Sequence, residues 1–589
     1  MRNKYLSIIS EHEAKLKKVR GIFSLLGYGK LFFILLTGFL IFSVVTEGFS
    51  AVIIISAVLS FAVLAALWVF HNNLQESMNY SNGIIEICNR QTDRINGKWA
   101  SFKDDGAQFL DSDHLYAADL DIVGAKSLFQ LLNTTGTWHG RQFFSEDLLR
   151  PAYNREEILI RQEAIAELSA DTRFSCKIQY HLSKIGVNPA AVKLAEELKE
   201  ETPFIENAVL RFLLSYVPAL TCVFLAVIFI FKLETLYITG AAAAFAQALV
   251  WVLTLPKTHA YLGAAAGLPY KLSDYAAAIS LITGKEFKSE KLNQIKEQLV
   301  SAEKGFKWLG RIADKLNIRQ IAVLYYIFNI LLLWDLECAF SLREWKKKYA
   351  LLSEKWFASI GEFESLLSFS HLPNICAGTC MPEIIAGEKI INAELTGHPL
   401  LANEKRVCND FNFNGNILII SGSNMSGKTT FLRTVGINLV LAKCGSFVCA
   451  KRFACSVFEP AASMRITDDL NEGLSTFYAE LKRIKKIIDT AKGQTNMLFL
   501  IDEIFRGTNS VDRLYGAKTV LSKLHGINAA GLISTHDLEL CELAEMYQRV
   551  ENFSFSETYE GGKIIFDYKI RGGKSTTTNA KYLMEMVGI

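Results

Sequence analysis

The sequence predicts a multidomain protein: two transmembrane helical hairpins, an all-α region around the second of them, and a C-terminal α/β domain built on a phosphate-binding loop. Three observations predict it. Uncharged runs of bilayer-crossing length occur in two closely spaced pairs. The stretch "GSNMSGKTT" at 422–430 lies between an apolar run and a segment of helical periodicity. A second apolar run, "MLFLIDE" at 497–503, ends in two carboxylates.

The chain of 589 residues is too long for one hydrophobic core. Half of it is apolar and the mean hydropathy is +0.20, an excess confined to a few stretches. A net charge of +3 gives no general electrostatic grip on nucleic acid. The eleven cysteines are scattered. Cys376 and Cys380, or Cys449 and Cys455, lack the two-residue gap of common zinc and redox sites, so buried free thiols in a reducing compartment are expected.

Residues 1–30 read as a cytosolic basic tail carrying Lys15, Lys17, Lys18, Arg20 and Lys30. The first hairpin, 31–70, joins "LFFILLTGFLIFSVVT" to "GFSAVIIISAVLSFAVLAALWVF" through Glu47. A hydrocarbon core takes about 20 apolar residues, and the shorter first run gains reach if Lys30 snorkels. Residues 71–115 read as a polar connector and 116–211 as the first part of a helical core. The second hairpin, 212–256, turns at "KLE", and residues 257–370 continue the helical core. Basic residues before the first span keep that side inside, which predicts a multi-pass cell-membrane protein with cytoplasmic termini and phosphate-loop domain. A fifth apolar run, 321–334, is interrupted by Asn329 and is short enough to read as buried core.

The domain at 371–589 carries the chemistry. Gly422, Ser423, Asn424, Met425, Ser426, Gly427, Lys428 and Thr429 fit G-x-x-x-x-G-K-[ST], with Thr430 following. The glycines let backbone N–H groups turn toward phosphate, and the helix N-terminus behind them favours negative charge. Lys428 is expected to reach the β- and γ-phosphates of ATP, with the Thr429 hydroxyl on Mg²⁺. Asp502 would hold Mg²⁺ through water and Glu503 would polarise the attacking water. A third strand, "AAGLIS", leads to His536 in the position of a γ-phosphate sensor. In "NEGLSTFYAELKRIKKII", Phe477, Leu481, Ile484 and Ile488 share a helical face behind a turn containing Gly473 and Ser475.

"SGSNMSGKTTFLR", "DDLNEGLSTFYAEL", "LIDEIFRGTNSVD" and "STHDLEL", in this order, resemble the ATPase domain of the MutS mismatch-repair family. "GHPLL" and "RVCNDF" resemble the approach to that domain, and "SLFQLLNTTGTWHGRQFFSEDLLRP" with "IRQEAIAEL" resembles the family's helical core. The resemblance covers about 120–168 and 397–589, with the helices of 270–367 as a lever region. It implies an ABC-type ATPase that works as a homodimer through its ATPase domains. Gly473, Ser475 and Thr476 then resemble the element that contacts the partner's nucleotide. Asn509 and Ser510 resemble the loop crossing the interface, and His536 the switch histidine. Arg406 stands where the family often has an aromatic stacked on adenine. No N-terminal segment resembles a mismatch-reading domain or carries an aromatic-x-Glu wedge of the kind such a domain inserts at a mispair, so any duplex DNA binding is expected to ignore mismatches. Two functions follow: a membrane-anchored MutS-like ATPase acting on DNA, or an ABC-type ATPase driving membrane transport or remodelling. The basic clusters "REWKKKY" and "KRIKK" favour the first only weakly, being of the kind that forms a solvated helix face.

Overall fold

The computed structural model describes residues 2–47, 50–151, 154–187, 208–231, 233–266, 269–465, 476–493, 496–505, 508–560 and 563–575. The N-terminal region is helical and the C-terminal region is α/β. Helices α1 (Arg2–Glu47) and α2 (Ala51–Ile95) pair antiparallel. Thr37 Oγ1 and Ser60 Oγ lie 2.7 Å apart, and the Lys30 ammonium stands 4.9 Å over the Trp68 ring. Most side chains of their apolar halves, Leu35, Phe39, Ile55 and Phe61 among them, face outward. The expected tail is the start of α1, and much of the expected connector is the end of α2. Tyr5, Ile8, Ile84 and Cys88 close a small core against Cys176 and Tyr180, so these polar-looking ends dock firmly onto the helical region.

That region comprises α3 (Leu128–Leu132), α4 (Trp138–Leu149), α5 (Arg155–Ala170) and α6 (Thr172–Ile185), then α7 (Ala208–Ile230) and α8 (Tyr237–Ala266). It continues with α9 (Pro269–Thr283), α10 (Glu290–Leu316), α11 (Ala322–Leu332) and α12 (Trp334–Phe369). Side chains of Ser127, Thr137 and Asn154 accept backbone N–H bonds at the starts of α3, α4 and α5, satisfying donors that a helix leaves open. Trp345 and Trp356 of α12 are buried against α10, where the Trp345 indole donates to Gly305 O at 2.7 Å. All eleven cysteines are free; eight are buried as expected, whereas Cys222, Cys380 and Cys408 are partly exposed.

By length and composition α1, α2 and the segment Glu234–Gly263 are long and apolar enough to cross a membrane. The apolar part of α7 with described side chains, Tyr216–Ile230, is shorter than that. Gln247 Nε2 donates to Thr221 Oγ1 at 3.2 Å between α7 and α8. The run 321–334 is not core. Its helix α11 leaves Ile321, Val323 and Tyr326 more than half exposed and lies beside α7 and α8, bent 75° from α12. Asn329 is buried because it terminates the helix: its side-chain oxygen accepts from Asp335 N at 3.0 Å.

In the C-terminal region one sheet has the order β10-β9-β4-β8-β7-β6, parallel except for the β9–β10 pair. Its strands are β4 (Ile417–Ser421), β6 (Glu459–Ser463), β7 (Met497–Asp502), β8 (Ala530–Thr535), β9 (Val550–Glu560) and β10 (Lys563–Gly572). Strands β4, β7 and β8 are buried along their whole length, which is why they read as unbroken apolar runs. A smaller sheet orders β1 (Glu383–Ile385), β5 (Arg452–Ser456), β2 (Ile390–Thr396) and β3 (Asn409–Asn414) side by side. The helices α13 (Lys428–Lys443), α14 (Thr476–Gly493) and α15 (Ser510–Gly526) cover the large sheet. Leu120 of the helical region belongs to the same continuous core as Val435 of α13 and Leu500 of β7. At Gly531 in β8 an added Cβ would stand 2.2 Å from Phe499 O, a backbone atom that cannot yield without breaking the ladder. Gly531→Ala is therefore expected to destabilise the domain by about 3 kcal/mol, in the upper range for overpacking. An unchanged thermal unfolding midpoint would refute this.

Candidate functional site: a phosphate loop with convergent carboxylates

The site lies at the carboxyl ends of the parallel strands β4, β7 and β8, where open α/β sheets bind ligands. Strand β4 ends at Ser421 and the chain turns through 422–427 into α13. Gly422 and Gly427 have φ of 150° and 108°. A Cβ on Gly422 would come within 2.8 Å of Phe555 O, so the loop needs glycine for space as well as for conformation. Lys428 Nζ folds back and donates to the carbonyls of Gly422 and Ser423 at 2.8 and 2.9 Å. The Ser426 hydroxyl is buried in the loop without a hydrogen-bond partner among the described residues. Ser423 donates to Glu557 at 2.9 Å, which ties the loop to β9. Met425 at the tip is 85% exposed. Asn424 and Thr430 line the cavity beside the loop.

Asp502 closes β7 and accepts from the Thr429 hydroxyl at 2.8 Å through one oxygen and from the Ser534 hydroxyl through the other. Glu503 sits just past the strand at φ 48°, and its amide donates to Ser534 O at 3.2 Å. That turn sends its carboxylate back toward the loop, 3.8 Å from Lys428 Nζ and hydrogen-bonded to His536 Nε2. Lys428, Thr429, Asp502, Glu503 and His536, far apart in sequence, thus meet in one place. The oxygen donors fit Mg²⁺: one hydroxyl and one carboxylate, with room left for water and phosphate oxygens, is the sparse protein set this ion accepts.

A cavity of about 660 Å³ opens beside the loop, lined by Lys428, Thr429 and Glu503 together with Lys405, Phe555 and Tyr568. Tyr568 stands close over the loop, 3.1 Å from where a Gly427 Cβ would lie. It adopts φ 54° at an irregularity in β10. Asn409 holds that irregularity in place: its side chain donates to Tyr568 O and accepts from Ile570 N, both at 3.0 Å. Sequence reasoning missed Tyr568 and Phe555, because neither carries a motif. Arg406 does not line the cavity. Its guanidinium donates to Ala377 O and Leu401 O at 3.1 and 2.9 Å, and the aromatic ring at the site comes from β10 instead.

Gly473 and Ser475 lie outside the described residues, and Thr476 begins α14. On α14 Ile484 is buried, and Phe477 and Ile488 pack partly buried against the same core, joined by Ile487; of the four expected positions only Leu481, 38% exposed, turns outward. Asn509 caps α15, accepting from Asp512 N at 2.9 Å, and Ser510 beside it is exposed. Arg483 and Lys486 of the basic cluster are engaged within the chain, bonding Asp119 and the carbonyl of Asp113. Asp119 also accepts from the amides of Met464 and Arg465 at 2.9 and 2.7 Å. Asp121 pairs with Arg433 on α13 at 3.1 Å and with Arg465 at 2.8 Å. One turn of the helical region therefore grips both the loop's helix and the end of β6.

Residues 418–589 match the family model described as MutS domain V. The chain is 30% identical over 247 residues to the DNA mismatch repair protein MutS of Macrococcus caseolyticus, covering 41% of this chain and 29% of that protein. It is 30% identical over 263 residues to the protein of the same name from Geobacillus kaustophilus, covering 43% and 29%. Against the one from Desulfosudis oleivorans it is 36% identical over 219 residues, covering 35% and 24%. The chain thus spans less than a third of the length of the curated relatives it matches. The loop and carboxylates described above fall within the region that matches MutS domain V, and it is through this C-terminal region that the chain is similar to the MutS proteins.

Proposed function

We propose that this protein is a membrane-anchored ATPase of the MutS type that binds ATP with Mg²⁺ and works as a homodimer. The observation that carries the reading is the convergence of Lys428, Thr429, Asp502, Glu503 and His536 around a loop with glycines at both ends. Phosphate oxygens would take over the Lys428 ammonium from the two loop carbonyls, gaining charge-assisted bonds in exchange for neutral ones. Mg²⁺, held by Thr429 and Asp502, supplies neutralisation of phosphate charge. Glu503 accepts the proton of the attacking water, and His536 keeps that carboxylate pointed at the loop. Exposed Met425, Val511 and Tyr515, near the loop and on α15, supply an apolar surface that a second copy would cover. The turn at Asp119 and Asp121 would carry a nucleotide-dependent shift of α13 into the helical region.

The relatives are named as DNA mismatch repair proteins, which makes duplex DNA a partner to test here. Its binding is expected to be salt-sensitive and equal for homoduplex and G·T duplex. The outward apolar faces of α1, α2, α7 and α8 support the membrane reading. Helix α11 extends it: at about 1.5 Å per residue it is too short to cross, so it would enter the apolar layer and return through α12 on the same side. That 75° bend is the observation favouring the second reading, a transport or remodelling ATPase whose working part is α7, α8 and α11. Mg²⁺-dependent ATP hydrolysis by the full chain in nanodiscs, with and without duplex DNA, separates the two. Stimulation by DNA supports the first reading, and DNA-independent hydrolysis the second. The position of Tyr568 also predicts a base platform. Tyr568→Ala should weaken ATP affinity by roughly 5- to 150-fold, the range of one base–aromatic stack, while Tyr568→Phe retains it. Equal affinities for both variants would exclude stacking there.

A further inference from the structure

A second polar cavity, of about 260 Å³, lies well away from the nucleotide cavity, between the end of α2 and the turn 130–136 that leads into α4. Arg94, 5% exposed, forms part of its wall. Its Nε donates to Leu131 O at 2.8 Å and its Nη2 to Asn133 O, which leaves Nη1 without an acceptor among the described residues. Among the described residues no carboxylate pairs with this guanidinium. Burial, and then the nearby charge of Arg90, pull its pKa down to about 9. Arg90, one helical turn earlier and exposed, lines the same cavity. Both guanidinia lie over the Phe102 ring, at 5.6 Å for Arg90 and 5.1 Å for Arg94. The acid in the wall, Asp104, is already neutralised by Arg141 and accepts from Asn133 Nδ2 at 2.9 Å.

A buried cation with no counter-charge is costly, and a second cation beside it raises the cost. Holding two turn carbonyls explains Nε and Nη2 of Arg94. It does not explain the remaining donor, the second arginine, or the cavity between them. We propose that this cavity is a binding site for a soluble phosphorylated small molecule, with Arg94 Nη1 and Arg90 as its phosphate donors. Two forked guanidinia one turn apart suit a diphosphate or a phosphomonoester with a second acceptor. The volume admits such a group with a small organic body, just below the range of drug-sized ligand pockets. A lipid headgroup does not reach it: along the unbroken helix α2, Arg94 lies about 36 Å beyond the end of the apolar run at Phe70. A bound anion would join α2 to the turn that opens α4 and so tie the apolar helices to the helical region.

The test is pyrophosphate binding to the full chain in nanodiscs, by equilibrium dialysis with the loop site saturated by a non-hydrolysable ATP analogue. One saturable equivalent is expected. Arg90→Met should weaken it at least tenfold and Arg90→Glu abolish it, whereas Lys98→Met, outside the cavity, should leave it unchanged. Because Arg90 is exposed on a long helix, both variants keep the fold, and unchanged analogue binding verifies that separately. Failure of the analogue to bind would refute the nucleotide reading alone. Absence of pyrophosphate binding, or binding indifferent to Arg90→Glu, would overturn the anion site.

Discussion

Glu503→Gln is expected to hold ATP and fail to turn it over. The amide is nearly isosteric with the carboxylate, so the contact with His536 and the turn at φ 48° survive. What is lost is the capacity to accept a proton, and general-base groups contribute roughly 10²- to 10⁴-fold in rate. Lys428→Ala should act at the earlier step. Removing the buried ammonium, now bonded to two loop carbonyls, leaves phosphate oxygens without their charge-assisted donor and should weaken nucleotide binding at least tenfold. The two variants therefore separate: the first retains labelled ATP through gel filtration, the second does not. Wild-type turnover indistinguishable from both would remove Glu503 and Lys428 from the chemistry.

Cysteine labelling from outside the cell carries the other large effect, because topology is all or none. A membrane-impermeant maleimide should modify Glu47→Cys and Glu234→Cys, the tips between the paired apolar runs, and spare Arg452→Cys. Arg452 suits the inside position because its side chain is 75% exposed in the α/β region. The native Cys444 would be silent on either side, being fully buried. Labelling at 47 but not at 234 would mean that α7, α8 and α11 form a cytosolic bundle or dock onto another protein. Their exposed apolar faces would then need a protein partner, since aqueous exposure of Phe229, Ile238 and Phe245 together is costly.

The glycine-rich loop, the two carboxylates and the histidine were legible in the sequence because each depends on local chemistry. A buried parallel strand must be an apolar run, a phosphate turn needs glycine, and a helix start needs a free backbone. All of these are written within a few neighbouring residues. The apolar helices were legible for the same reason, since composition over one turn after another decides whether a helix tolerates lipid. The tertiary structure alone decided the features that pair residues across long stretches of chain. Tyr568 enters the site because Asn409 pins its strand irregularity, and Arg406 turns away because carbonyls of Ala377 and Leu401 are nearer. The ends of α1 and α2 dock because Tyr5 and Cys88 meet Tyr180 and Cys176. Helix α11 is exposed because α7 and α8, not the core, lie beside it. Arg90 and Arg94 fall in the stretch that reads as a polar connector; burial against the 130–136 turn makes Arg94 an interior cation with no carboxylate partner among the described residues, since hydration is lost through contacts that local spacing does not encode.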